Sequence, residues 1–211
     1  MALTMVHLLA GDLWAKGHPE YLESPEFYYG VISPDAIHVR DGSDKSHKDE
    51  IHLHNWGVPH PDDVVAYWRE HHTPFDIGYG VHVLTDAQWV PRYRRLLPGI
   101  LNPDGKLNTD IYYNDTFVTD FRLYRDRPRL EQILRLIERA ETPTDHPLLT
   151  AYELSEWRRL MLQAYRDECP KHDPVRFIDE KYVRDFVDDS IALIDVVFLR
   201  AEPLWNGGAA R

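Results

Sequence analysis

Apolar residues recur at helical spacing along most of the chain, and no run shows the strict alternation of a half-buried strand. Leu3, His7, Ala10 and Trp14 fall on one stripe and predict a helix over residues 3–14. Ser24-Pro25-Glu26 supplies a cap and a proline at the first helical position, which opens a short helix through Tyr29. From Gly30 to about Leu53 the chain reads as polar and loop-rich. A helix over 61–72 carries Val64, Val65 and Trp68. Thr73-Pro74-Phe75-Asp76 then has the form of a capping box and starts a helix to about Trp89, before Pro91. Residues 92–97 either extend it or form a separate turn. Further helices are predicted over 107–124, 128–140 and 148–168. The last, over 175–199, sets Ile178, Tyr182, Phe186, Leu193 and Val197 against a polar stripe of Arg184, Asp188 and Asp195. There is no internal repeat and no low-complexity linker. One all-α domain over residues 1–205, a helical bundle with a small frayed tail over 206–211, is the simplest reading.

Composition narrows the class. The chain has 211 residues, of which 43% are hydrophobic, and a mean hydropathy of −0.49, values that fit a globular protein with a real core. No apolar run approaches the 18 or so residues of a membrane span. The first residues lack a basic segment, and Asp12 interrupts their apolar stretch, which does not match a secretory signal. The single cysteine, Cys169, excludes a disulfide within the chain and suits a reducing compartment, so a cytoplasmic location is expected. The net charge of −11 argues against stable nucleic-acid binding by bulk attraction. It leaves room for a local cation site, where the bound ion would be the dominant charge.

Chemistry enters where polar residues sit among apolar ones. His82 and Asp86 are four apart in a helical run with Ile77, Val81, Val83 and Leu84, so imidazole and carboxylate share one face. A buried carboxylate costs several kcal/mol, roughly, unless a cation, a proton or several hydrogen bonds compensate it. The pair is therefore either half of a metal site or a hydrogen-bonded structural pair. Asp115 lies on a stripe with Ile111, Val118 and Phe121, and His7 sits between Leu3 and Ala10; each can serve as a ligand or as a satisfied core group. Asp35 follows Ser33-Pro34, and His47 stands in the polar run Asp44-Lys45-Ser46-His47-Lys48. Two other pairs drop out. Pro74 separates His72 from Asp76, whose role is capping, and Pro174 directly after His172-Asp173 forbids the mid-helix placement that an HD dyad requires. Asp188-Asp189 reads as a solvated helix face.

The order of these elements carries a resemblance. His7, Gly30-Val31-Ile32-Ser33-Pro34-Asp35, His47, and Gly78-Tyr79-Gly80-Val81-His82-Val83-Leu84-Thr85-Asp86 together resemble the zinc-dependent phospholipase C and S1/P1 nuclease superfamily of all-helical metal phosphohydrolases. Tyr113-Asn114-Asp115 and Phe177-Ile178-Asp179-Glu180-Lys181 are similar to elements of small bacterial proteins of that kind. The specific part of the likeness covers roughly the first 120 residues.

The resemblance implies that Asp35, His47, His82 and Asp86 bind one zinc, and that Asp86 bridges to a second metal that also takes His7. The family's remaining zinc uses a later pair of histidines and a glutamate. This chain has no His-x-x-x-Glu and no histidine between His82 and His146, so a mono- or dinuclear site completed by Asp115 is expected instead. Imidazole and carboxylate ligands suit zinc first, with manganese or iron as alternatives. The implied activity is hydrolysis of a small phosphoester by a metal-activated water, with Asp35 as the catalytic carboxylate. Lys45, Lys48 and Arg92 are either candidates for holding a phosphate oxygen or plain surface charges. Two rival readings stand beside this one: a helical binding protein with a structural metal, and an HD-domain-like nucleotide phosphohydrolase. Trp14, Tyr28, Tyr29, Trp56 and Trp89 either pack the core or line a pocket.

Overall fold

The computed structural model describes residues 3–41, 47–166 and 173–206. In chain order these form α1 (Thr4–Ala15), α2 (Pro25–Ile32), a 3-10 turn (Ser33–Ala36), α3 (Ile37–Asp41), α4 (Lys48–Ile51), α5 (Pro61–Glu70) and α6 (Pro74–Leu96). A second 3-10 turn (Pro98–Ile100) follows, then α7 (Thr109–Asp126), α8 (Pro128–Arg139), α9 (Ala151–Arg166) and α10 (Glu180–Asn206). Extended pairing among the described residues is confined to one isolated bridge between Leu101 and Leu107. The all-α reading holds. Tail residues 207–211, Cys169, Lys45 and His172 lie outside the described residues.

One hydrophobic core runs from Met5 to Ala201 and takes side chains from both ends of the chain. Its axis is α6, which is buried on every side from Phe75 to Ala87 and is apolar almost all round, as a central helix must be. The N-terminus of α6 is fixed as the sequence implies. Thr73 Oγ1 accepts from the Asp76 amide while the Asp76 carboxylate accepts from the Thr73 amide, so two otherwise orphaned donors are satisfied. The helix does not end before Pro91 but continues through it to Leu96.

Glycine sets the central helix crossing. A Cβ on Gly78 would lie 2.0 Å from the Phe27 carbonyl oxygen, and one on Gly30 would lie 2.0 Å from that of Phe75. Gly30 and Gly78 thus each face the other helix's backbone, and α2 and α6 touch main chain to main chain. This contact brings the turn after α2 beside the middle of α6. The stretch expected to be loop from Gly30 to Leu53 is in fact largely helical wherever it is described. Its short helices are held by tertiary contacts such as Tyr79 Oη donating to the Ile51 carbonyl at 2.6 Å. Among the described residues, no helix is long and apolar enough to cross a membrane.

Candidate metal centre

Four buried side chains converge beside α6. One donor atom each from Asp35, His52, His82 and Asp86 lies within 4.8 Å of the others, and none of the four residues is more than 5% exposed. His82 and Asp86 come from one face of α6. Asp35 comes from the 3-10 turn that Pro34 opens, where Ser33 Oγ donates back to the Tyr29 carbonyl at 2.7 Å. His52 closes α4. Directly after it, Leu53 (φ 51°) and His54 (φ 56°) both occupy the left-handed region, a strained conformation for side-chain-bearing residues. Buried Asn55 holds that reversal by bonding the Leu53 and His60 carbonyls and the His60 amide.

The histidine tautomers follow from their neighbours. His82 Nδ1 lies 2.8 Å from the Val31 carbonyl oxygen and His52 Nδ1 lies 3.0 Å from that of Lys48. A carbonyl only accepts, so both Nδ1 atoms carry a proton and each Nε2 faces the cluster. His52 Nε2 then stands 3.5 Å from Asp86 Oδ2, and His82 Nε2 stands 3.9 Å from the same oxygen. Among the described residues neither Nε2 has a hydrogen-bond partner, and neither ring nitrogen of His7 has one.

His7 stacks on His82 with ring centroids 3.7 Å apart and brings its Nε2 to 3.3 Å from Asp86 Oδ1. Burial, reinforced by His7, pushes the His82 imidazole down to about 3, so it is neutral near pH 7. Burial raises Asp35, but Lys48 outweighs that and holds its carboxyl below the usual range. Burial likewise raises Asp86, and its positive and polar surroundings, His7 and His52 among them, bring it well below the usual range. Two ionised carboxylates thus meet the neutral His82 imidazole in a buried space, with His7 and His52 beside them.

A metal ion held among these four donors would take up the His82 Nε2 lone pair and balance the two carboxylates. Metal–ligand distances of about 2.0–2.2 Å place the donors around one ion roughly 3–4 Å apart, the spacing seen here between His52, Asp35 and Asp86. The donor set therefore fits a borderline or hard divalent ion.

The structure sorts the sequence-derived candidates. Asp35, His82 and Asp86 meet as expected, with His7 against them. His47 does not: it is exposed at the start of α4, five residues before the histidine that reaches the cluster. His52 was missed because its segment reads as loop. The available signal was its setting between the apolar Ile51 and Leu53, whereas His47 has polar neighbours.

Asp115 is buried but stands elsewhere. It accepts from the amides of Arg176, Phe177 and Ile178 at 2.7–3.1 Å, which satisfies the carboxylate without a cation and anchors the chain entering α10. Lys48, read as a possible surface charge, is 2% exposed and lies 3.5 Å from Asp35 Oδ1. Arg92 instead pairs with Asp189 on α10. Trp14, Tyr28, Tyr29 and Trp89 are core residues, while Trp56 is partly exposed beneath the Lys48 ammonium. Comparison with protein-family models, curated proteins and solved structures finds no match for this chain.

Proposed function

We propose that Asp35, His52, His82 and Asp86 hold a divalent cation, zinc first, and that the protein is a metal-dependent hydrolase of small phosphoesters. The observation that carries the cation is the pair of buried Nε2 atoms, on His52 and His82, that lack a hydrogen-bond partner among the described residues and face an ionised carboxylate. His7 is placed to serve a second ion that shares Asp86. The reaction class is supported by the order of His7, Pro34-Asp35 and Gly78 through Asp86, which resembles the phospholipase C and P1 nuclease superfamily.

When bound, the cation supplies Lewis acidity and brings the pKa of a coordinated water to about 7. The chain's own groups do the remaining work. The Val31 and Lys48 carbonyls fix the two imidazoles, and Asp86 balances charge. Asp35, kept ionised by Lys48, would hold the ion on the side that faces His38, whose Nε2 is 3.9 Å from Oδ1 and whose side chain is 26% exposed.

Protein purified without chelator should carry one or two divalent ions per chain by elemental analysis. It should hydrolyse p-nitrophenyl phosphate or bis(p-nitrophenyl) phosphate, lose that activity in EDTA and regain it with zinc or manganese. Metal-free protein whose melting temperature ignores both ions would refute the centre. Metal-bound protein inert toward both esters would refute the reaction.

A second reading has its own support. All four donors are buried, and clefts of about 570 Å³ beside His146 and about 590 Å³ beside Arg129 include none of them. A closed four-ligand sphere is the mark of a structural metal. His82→Ala separates the readings: activity lost with the fold kept indicates catalysis, whereas collapse of both indicates a structural ion.

A further inference from the structure

Between α8 and α9 the chain runs as an irregular strap over residues 140–150, tied down at both ends. Arg158 donates to the Ala140 carbonyl and to Thr142 Oγ1. At the far end Leu149 is buried and Arg40 donates to the Leu148 carbonyl. Between these anchors the strap borders a cleft of about 570 Å³, which it shares with Glu26, His71 and the start of α6. His146 ties its middle to the rest of the protein, packing against Phe75 and Tyr79 of α6 and Tyr67 of α5.

Hydrogen-bond direction fixes the state of this imidazole. Its Nδ1 lies 3.3 Å from the Leu148 amide nitrogen and 3.2 Å from that of Leu149. An amide only donates, so Nδ1 accepts and the ring proton sits on Nε2. Nε2 then donates to Tyr67 Oη at 3.0 Å, and Tyr67 Oη donates to Asp76 Oδ1 at 3.0 Å. A second ring proton would have to sit on Nδ1, facing two N–H groups. The closed turn and an imidazolium therefore exclude each other.

Charges around the ring do not reverse this. Burial is the largest influence and opposes the imidazolium; Asp76 of α6 favours it, His71 at the end of α5 opposes it, and Asp145 of the strap favours it. Together they bring His146 down to about 4. Glu26 of α2 and Glu141 border the same cleft, and Arg40 and Arg158 act at the ends of the strap.

We infer that His146 is a pH-operated clasp, which holds the strap against the cleft when neutral and lets residues 143–147 lift when protonated. A histidine on a lifted strap titrates at about 6.5, whereas the clasped ring resists protonation to about 4. The clasped value lies below the free one, so closure is fully favoured above about 6.5 and weakens as pH falls toward 4. From pH 7.5 to pH 5 the ratio of open to closed strap should rise about thirtyfold. None of the four proposed cation donors takes part in these bonds, so the clasp and the metal centre stand or fall separately.

Amide hydrogen exchange read by NMR, corrected for the intrinsic pH dependence of exchange, tests this at Leu148 and Leu149. In the wild type their protection should fall about thirtyfold from pH 7.5 to pH 5 while amides within α8 and α9 keep theirs. The His146 ring should carry its proton on Nε2 at pH 7.5 and titrate below pH 5. His146→Asn retains a short acceptor for the two amides but does not titrate, so its protection should be the same at both pH values. Unchanged protection in the wild type overturns the clasp, as does a ring that titrates at about 6.5. An equal loss within α9 also overturns it, because the strap then opens only with general unfolding. A loss of the same size in His146→Asn removes the histidine from the explanation. Should that variant fail to fold, the wild-type exchange and ring titration still decide.

Discussion

Individual residues in this protein hold protonation states that their surroundings impose, and two of them respond to pH in opposite directions. Glu153 at the start of α9 accepts from the Thr150 amide and hydroxyl and pairs with Arg40 through two hydrogen bonds. Although burial alone raises it, these bonds bring its carboxyl down to about 2. Its contribution is full above the ordinary glutamate range and is lost as pH falls from about 4.5 toward 2. Glu153→Gln should cost about 1–3 kcal/mol near pH 7 in urea unfolding. The difference from wild type should shrink below pH 4, and a constant difference would contradict the pairing. Asp120 is the reverse case. Burial pushes it up to about 7, although it accepts from the Met5 amide at 2.9 Å and from Tyr165 Oη. Its contribution is full below the ordinary aspartate range and declines as pH rises toward 7. Urea midpoints of Asp120→Asn should therefore gain on wild type between pH 5 and 8, and parallel midpoints would show that Asp120 titrates normally. Neither state is fully legible in the sequence: the Thr150 bonds to Glu153 are local, but Arg40 and Tyr165 are brought in from distant parts of the chain. His82 and Asp86 were legible because both ligands lie on one helix. His52 was not, because the fold, through Tyr79 and Asn55, aims that residue inward.

Helices here are positioned by close approach as much as by apolar area. Gly30 and Gly78 open the two sequence motifs, and they are where α2 and α6 meet. A methyl group at 78 would overlap the Phe27 carbonyl, a rigid backbone atom. Gly78→Ala should destabilise by about 3 kcal/mol or more. By moving the Asp35 turn away from His82, it should also weaken zinc binding. Unchanged stability in thermal or urea unfolding would mean that the helices can separate without cost. Patterning predicted most of the long helices to within a few residues, from caps such as Thr73 and from apolar stripes, but the last one, expected over 175–199, spans Glu180–Asn206. It failed at Pro91, where packing of Trp89 and Tyr93 on either side carries the helix through. It also failed over residues 30–53, whose short helices lack the length for a periodic signal.

The molecule as a whole is a helical core that closes over one cluster of ionised and imidazole groups drawn from α1, the turn after α2, α4 and α6. An ion bound to this cluster in the folded state alone should stabilise the whole domain. Saturating zinc at a hundredfold excess over its dissociation constant adds about 2.7 kcal/mol through binding to the folded state alone. The melting temperature should rise with zinc and fall with EDTA, and His82→Ala should abolish that response. All-helical architecture and one shared core could be expected from hydrophobic spacing, but the identity of the fourth donor needed coordinates. The most direct measurement is an anomalous difference map at the zinc edge from crystals grown with zinc. Convergence of these side chains predicts a peak about 2.0–2.2 Å from Nε2 of His52 and His82 and from carboxylate oxygens of Asp35 and Asp86. Well-ordered side chains with no peak among them would contradict it.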